Sequence, residues 1–337
     1  MHEIAFPLLA GLVLVALAFD FLNGLHDAAN SIATVVSTKL LKPVPAVLFA
    51  AGFNFAAYFL TILFPSLHKV AETIGKGLID KDLVTPAVVF GALAGAMFWN
   101  VVTWLKGIPS SSSHALVGGI VGAGVAHAGF TGIQWTGLNK TLVAIVLSPV
   151  LGMALSMLIM LMSSWLFARA RNKTAERSFR SLHLMSSAAY SISHGLNDAQ
   201  KTMGVITVLL FSTGYLKGEF AVPHWVAISC YVAMAAGTMA GGWKIIETMG
   251  SRITKLSHHQ GFSASLGGSI IVFSASLLGI PVSTTHTITG CVIGAGTARR
   301  ASAVRWGVAG NVMVAWVITI PASAAVGALF YSLTRLF

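Results

Sequence analysis

Charge is scarce in this sequence. Asp, Glu, Lys and Arg together make 9% of the 337 residues, and acids are rarer than bases, 10 against 21. A soluble globular domain carries roughly 25% charged residues, so this chain lacks the means to cover itself with a hydrated surface. Cysteine is nearly absent as well. Cys230 and Cys291 both lie in apolar stretches, which argues against a disulfide framework or a thiolate metal site and leaves them as small packing residues. The first residues, Met1-His2-Glu3, bring no basic flank, and apolar segments run on to Phe337, so a secretory signal peptide does not account for the composition. The excess of bases is spread along the chain instead of gathered on one polar domain, and no nucleic-acid partner is expected. HExxH-like spacing and a GxSxG elbow are both missing, which removes the simplest metal and hydrolase chemistries.

What is present is apolar. Hydrophobic residues make 55% of the chain and the mean hydropathy is +0.81. Ten hydrophobic stretches stand out, at 5–38, 44–65, 84–106, 110–128, 139–168, 182–215, 222–242, 262–280, 285–298 and 307–333. A spanning helix needs about 20 apolar residues, so the chain is expected to be an all-α, multi-pass protein of the inner (plasma) membrane, with the lipid bilayer as its surroundings. Stretches 5–38 and 182–215 exceed one simple span, and each has a polar knot near its middle where an interruption is expected. With the N-terminus outside and one crossing per stretch, fourteen bases fall on the inner side and six on the outer. That asymmetry places the basic loop 169–180 in the cytoplasm and both termini outside.

The two halves repeat. Gly24-Leu25-His26-Asp27-Ala28 matches Gly195-Leu196-Asn197-Asp198-Ala199 at an offset of 171, and Gly107-Ile108-Pro109-Ser110-Ser111-Ser112-Ser113-His114 matches Gly279-Ile280-Pro281-Val282-Ser283-Thr284-Thr285-His286 at 172. Five crossings per half is odd, so the second half enters the membrane upside down. The expected organisation is a first transmembrane repeat over 1–168, a basic cytoplasmic linker over 169–181 and an inverted repeat over 182–337. Inverted repeats with broken helices mark many secondary transporters, with the site near the midplane where the halves meet.

Asp27 and Asp198 lie inside apolar stretches, where an ionised carboxylate costs about 2.5–3.5 kcal/mol even on the lenient insertion scale. Such a matched pair calls for a function, most simply ligation of a coupling cation; capping of broken helices is the bland alternative. Asp20 lies seven residues before Asp27, aligned with Ser191 in the other half, and suits either a structural hydrogen bond or coupling. Around the acids sit Asn23, His26, Asn30, His194, Asn197, Gln200 and Lys201. Amide oxygens suit a hard cation and amide N–H groups suit an oxyanion, which groups Asp27, Asn30, Asn197, Asp198 and His26 with the coupling ion and Gln200 with the substrate. His26 is either a proton carrier or a neutral hydrogen-bonded ring. The Pro-Ser/Thr clusters read as helix starts inside the membrane. Free N–H groups and the dipole there form an anion site without Arg, and Ser111, Ser112, Ser113, Ser283, Thr284 and Thr285 supply hydroxyls that both donate and accept, as hydrogen phosphate requires. Close packing by small residues is the competing account. His114 and His286 follow these clusters as orienters of the helix starts.

FDFLNGLHDAANSIATVV, GIPSSSSHALVGGIVGAG, SHGLNDAQKTMGVI and GIPVSTTHTITGCVIGAG, with the tract 250–256, resemble the inorganic phosphate transporter (PiT) family over nearly the whole chain. The resemblance implies uptake of inorganic phosphate driven by a sodium or proton gradient, hairpin-like elements at the Ser/Thr clusters, no bound cofactor, no resident metal and often a homodimer. His26-Asp27, where the family's Asn-Asp motif is kept at Asn197-Asp198, resembles the proton-coupled bacterial branch, for which metal-phosphate is a further substrate. A symporter of another oxyanion such as sulfate, an anion channel and a membrane hydrolase are the alternatives. The paired acids argue against a channel, which needs no coupling ion.

Overall fold

The computed structural model describes residues 4–80 and 83–336; Met1–Glu3, Lys81 (one of the six outer bases), Asp82 and Phe337 lie outside them. Each of the ten stretches is a helix. The order is α1 (Phe6–Ser37), α2 (Pro43–Leu63), α3 (Lys69–Lys76), α4 (Pro86–Lys106), α5 (Ser112–Ala128), α6 (Trp135–Leu166), α7 (Asn172–Ser212), α8 (His224–Ala240), α9 (Trp243–Glu247), α10 (His258–Leu277), α11 (Thr284–Arg299) and α12 (Trp306–Leu333). By length and composition α1, α2, α4, α6 and α12 are apolar enough to cross a membrane, and α8 joins α9 through a 68° bend at Gly241-Gly242. The remaining long helices are shorter, or richer in Ser, Thr and charge. Along α6 and α12, Val146, Val150, Leu161, Met162, Val314 and Val317 are exposed, while the buried side chains include Asp, His, Asn, Ser and Thr. Apolar surface outside and polar groups inside is the distribution a lipid solvent imposes.

Local chemistry sets the helix ends. Thr85 Oγ1 accepts from the Val88 N–H with Pro86 in the first turn, and Ser257 with Gln260 forms a reciprocal capping box at the start of α10. α4 and α5 pack together across residues 107–111, and α10 and α11 across 278–283, so each Ser/Thr cluster is the tip of a helical hairpin. Both hairpins turn on a glycine in the left-handed region, Gly107 at φ 65° and Gly279 at φ 70°, a conformation that side chains disfavour.

Packing follows the sequence repeat. α1 packs on α8 as α2 packs on α7, α5 on α12 as α11 on α6, and α4 on α12 as α10 on α6. Glycines make the matched crossings close: a Cβ at Gly24 would stand 2.1 Å from the Met234 carbonyl oxygen, and one at Gly195 would stand 2.5 Å from that of Asn54.

Two expectations need correcting. The polar knots do not interrupt α1 or α7, which are continuous helices of 32 and 41 residues; side chains from the hairpin tips satisfy the polar groups laterally, so the backbone need not open. The breaks lie instead at the tips and at Gly241-Gly242, while α6 and α12 run on through Pro149 and Pro321. The basic segment 169–181 is a linker only up to Arg171, since α7 begins at Asn172; its Ala, Glu and Arg are helix formers.

Candidate functional site

The hairpin tips bring their hydroxyls onto the two buried acids. Asp27 on α1 accepts at Oδ1 from His26 Nδ1 (3.0 Å) and from Thr285 Oγ1 (3.3 Å), and at Oδ2 from Ser112 Oγ (2.9 Å). One acid of the first half is therefore held by hydroxyls from both hairpins. On the other edge of the His26 ring, Nε2 meets Thr103 Oγ1 at 3.1 Å and Ser110 Oγ at 3.4 Å, while Thr103 Oγ1 itself donates to the Trp99 carbonyl at 2.9 Å.

Asp198 on α7 is held differently. Thr284 Oγ1 donates to Oδ2 at 3.0 Å, Lys201 Nζ donates to Oδ1, and His194 Nε2 stands 3.3 Å from Oδ2. The Lys201 ammonium also reaches Ser113 Oγ, and the Val282 carbonyl at 3.0 Å, so it ties α7 to both tips. Lys201 occupies one turn further along the same face as Asp198, and its charge compensates that carboxylate. Asn30 Nδ2 donates to Thr285 Oγ1 at 3.0 Å and to Thr284 Oγ1 at 3.3 Å, standing between the two acids.

These contacts gather most of the expected residues. Asp27, His194 and Asp198 each offer a ligand atom within 4.8 Å of the others, a spacing that a single cation can bridge. Ser112, Ser113, Thr284 and Thr285 surround them, at the N-termini of α5 and α11, where free N–H groups and dipole favour an anion. Ser111 and Ser283 spend their hydroxyls on the helix starts, accepting from the His114 and His286 N–H groups at 3.2 and 3.1 Å. The His114 and His286 rings meet edge to face at 4.1 Å, and His286 stacks on Trp316, so they hold the two starts against each other. Asn197 turns to the second tip, donating to Ser276 Oγ (3.0 Å) and the Ile280 carbonyl (3.3 Å). Gln200 is not part of the cluster. Its Nε2 donates to the Leu67 and Leu196 carbonyls at 2.7 Å each, and its Oε1 accepts from the Ala71 N–H at 3.3 Å.

Residues 23–327 match the phosphate transporter family. The chain belongs to that family. It is a transporter, not an enzyme. A Rhizobium meliloti protein described as a "probable low-affinity inorganic phosphate transporter" is 62% identical over 97% of both chains. A Bacillus subtilis protein of the same description is 41% identical over 95% of both. A solved structure described as "the sodium-dependent phosphate transporter" has this fold, with a TM-score of 0.84 and 24% identity, covering 98% of this chain and 100% of that one.

The transporter has a further matched pair that composition alone passes over. Thr73 on α3 donates to the Gly279 carbonyl at 2.7 Å, and Thr248, just after α9, donates to the Gly107 carbonyl at 3.1 Å. Each short helix is thus pinned to the hairpin tip of the opposite half. Lys69-Val-Ala-Glu-Thr73-Ile-Gly75 and Lys244-Ile-Ile-Glu-Thr248-Met-Gly250 share a K-x-x-E-T-x-G pattern at an offset of 175, and this was the signal to find them by.

Proposed function

We propose that the transporter imports inorganic phosphate by symport with a cation, sodium or proton. One observation carries this: two hairpin N-termini, from opposite halves of the chain, converge with hydroxyls on two buried carboxylates. Phosphate takes the hydroxyls and N–H groups of Ser112, Ser113, Thr284 and Thr285, with Ser111 and Ser283 shaping the helix starts. The cation takes carboxylate oxygens of Asp27 and Asp198, with Asn30 and His194 beside them, while His26 steadies Asp27 and Asn197 steadies the second tip. Gln200 braces α3.

The same hydrogen bonds explain coupling. Ser112 and Thr285 now donate to Asp27, and Thr284 to Asp198. A phosphate oxygen competes for those protons and leaves the carboxylates short of partners, which a cation then satisfies. A cation on the carboxylates releases the hydroxyls toward phosphate. Each ligand tightens the other by the same factor, and a doubly negative anion beside two carboxylates is repelled unless cations accompany it. The positive-inside asymmetry supports a cytoplasmic 169–180 segment with both termini outside, and the matched packing supports an inverted repeat.

Labelled-phosphate uptake into proteoliposomes, with sodium and proton gradients imposed separately, is the test. Accumulation above equilibrium under one gradient is expected, with little competition from sulfate. Uptake that only equilibrates under both would leave a channel.

A further inference from the structure

Three acids are buried among the described residues: Asp20, Asp27 and Asp198. The last two are fully engaged by donors. Asp20 is 0% exposed, yet no donor meets either carboxylate oxygen in good hydrogen-bond geometry. Its surroundings are oxygen-rich. Asn23 on α1, Thr202 on α7 and Cys230 on α8 face the carboxylate, and Tyr231 lies near it. Asn23 Oδ1 and Thr202 Oγ1 are themselves buried and meet no other partner, and Tyr231 is turned toward Thr61. The matching residue of the second half, Ser191, needs nothing further, since its hydroxyl donates to the Ser187 carbonyl at 3.0 Å.

The charged and titratable groups near Asp20 do not supply a counter-charge. Asp198 on α7 is close enough to repel it. Cys230 and Tyr231 on α8 are neutral groups, with Tyr58 of α2 against Tyr231. α2 has no charged residue, and the single charge of α4 is Lys106 at its exposed end. Lys201, next to Thr202 in sequence, is committed to Asp198 and Ser113. A carboxylate without a counter-charge in such a place is far too costly to leave uncompensated, and a cation is the compensation that is missing.

We propose that Asp20, with Asn23 and Thr202, is a further binding site for a monovalent cation, held as a proton on the carboxyl or as sodium among the oxygens. Asp20 lies two helical turns before Asp27 on nearly the same face of α1, roughly 10 Å along the axis. A cation there stands in line with the central cluster without touching the substrate hydroxyls, and it moves with phosphate as one additional coupled charge.

This inference rests on the symport reading, and the two are separable by experiment. The full chain is reconstituted with the membrane potential clamped at zero and a tenfold inward gradient of either sodium or protons. Each coupled cation multiplies the limiting accumulation of phosphate by its gradient, so Asp20→Asn is expected to lower accumulation about tenfold under the gradient of the ion bound there. It leaves the other gradient's effect and the phosphate affinity unchanged. Asp20→Ser, which copies the second half, serves if the Asn variant does not fold. Parent-like accumulation by a folded variant overturns the site. Should the parent itself concentrate phosphate under neither gradient, the symport reading fails and infrared spectroscopy decides for Asp20. The carboxyl band absent from Asp20→Asn is expected to respond to pH at fixed sodium, for a proton, or to sodium at fixed pH. A band that responds to neither overturns the proposal.

Discussion

Asp27 and Asp198 are chemically alike but differently supported, and substitution at the two should reflect it. Asp27 is held by His26 and by one hydroxyl from each hairpin tip, whereas Asp198 is compensated by Lys201. Asp27→Asn and Asp198→Asn keep shape and remove a negative charge. Both are expected to abolish uphill accumulation, and Asp198→Asn should also weaken folding more, because it strands the Lys201 ammonium in the interior, a loss of about 3–5 kcal/mol for a broken buried pair. Uphill uptake at the parent's level by both variants would move the driving ion elsewhere. Ser112→Ala removes a donor to Asp27 that phosphate is proposed to take over. A hydrogen bond to a charged group contributes about 1.5–3 kcal/mol, so equilibrium phosphate binding should weaken at least roughly tenfold, and unchanged affinity would reduce the hydroxyl to packing. The acids and hydroxyls were legible in the sequence because polar groups are so sparse in its apolar stretches and because they recur at one offset. Gln200 was misplaced for a helical reason: it is two residues from Asp198, and residues two apart do not share a face. Lys201, three apart, does.

At the scale of elements, the hairpins could be read from Gly-Ile-Pro followed by hydroxyls, a start signal that survives inside an apolar chain. α3 and α9 could not be read as hydrophobic elements, since they have only eight and five residues and α3 is half polar. Their position gives them a mechanical role. The Thr73 hydroxyl fastens the second tip and the Thr248 hydroxyl fastens the first, and both bonds are made together, as in a site closed at both ends. One such bond contributes about 0.5–1.5 kcal/mol, enough to change the open fraction of a gate several-fold. Thr73→Val should therefore raise the reaction rate of a cysteine placed at Ile280 with an impermeant reagent on the α3 side by roughly two- to tenfold, while Thr248→Val leaves that rate alone. Equal effects from the two substitutions would mean that these bonds stabilise the fold generally and do not gate opposite ends.

At the scale of the whole molecule, the repeat and the sidedness of charge were visible in the sequence, but the way the halves interlock was not. Nothing in either half's pattern says that α1 must pack on α8 or α5 on α12, because two copies of one pattern are equally compatible with two separate bundles. The interlock matters, since it is what lets Thr285 of one half reach Asp27 of the other. It also makes sidedness testable. α7 has 41 residues, roughly 60 Å at 1.5 Å per residue, against a hydrocarbon core of about 30 Å. Its two ends must then emerge on opposite sides if the second half is inverted. In the proposed topology the basic beginning of α7 lies on the side of Lys255, Arg299, Arg300 and Arg305, which line one cavity of about 390 Å³, and Lys76 and Lys217 lie on the other. Cys230 and Cys291 are buried and can be removed to give a silent background. Single cysteines at Ser178 and Arg300 should then react only with reagents that reach the cytoplasm, and cysteines at Lys76 and Lys217 only with reagents added outside. Lys76, Lys217 and Arg300 are exposed and Ser178 is half-buried, so none of the four is sealed off by packing. Labelling of 178 and 217 from the same side would mean that α7 does not cross, and with an even number of crossings per half the second repeat would lie parallel to the first. The two hairpins would then enter from one face, and a site closed by α3 on one side and α9 on the other could not alternate between them.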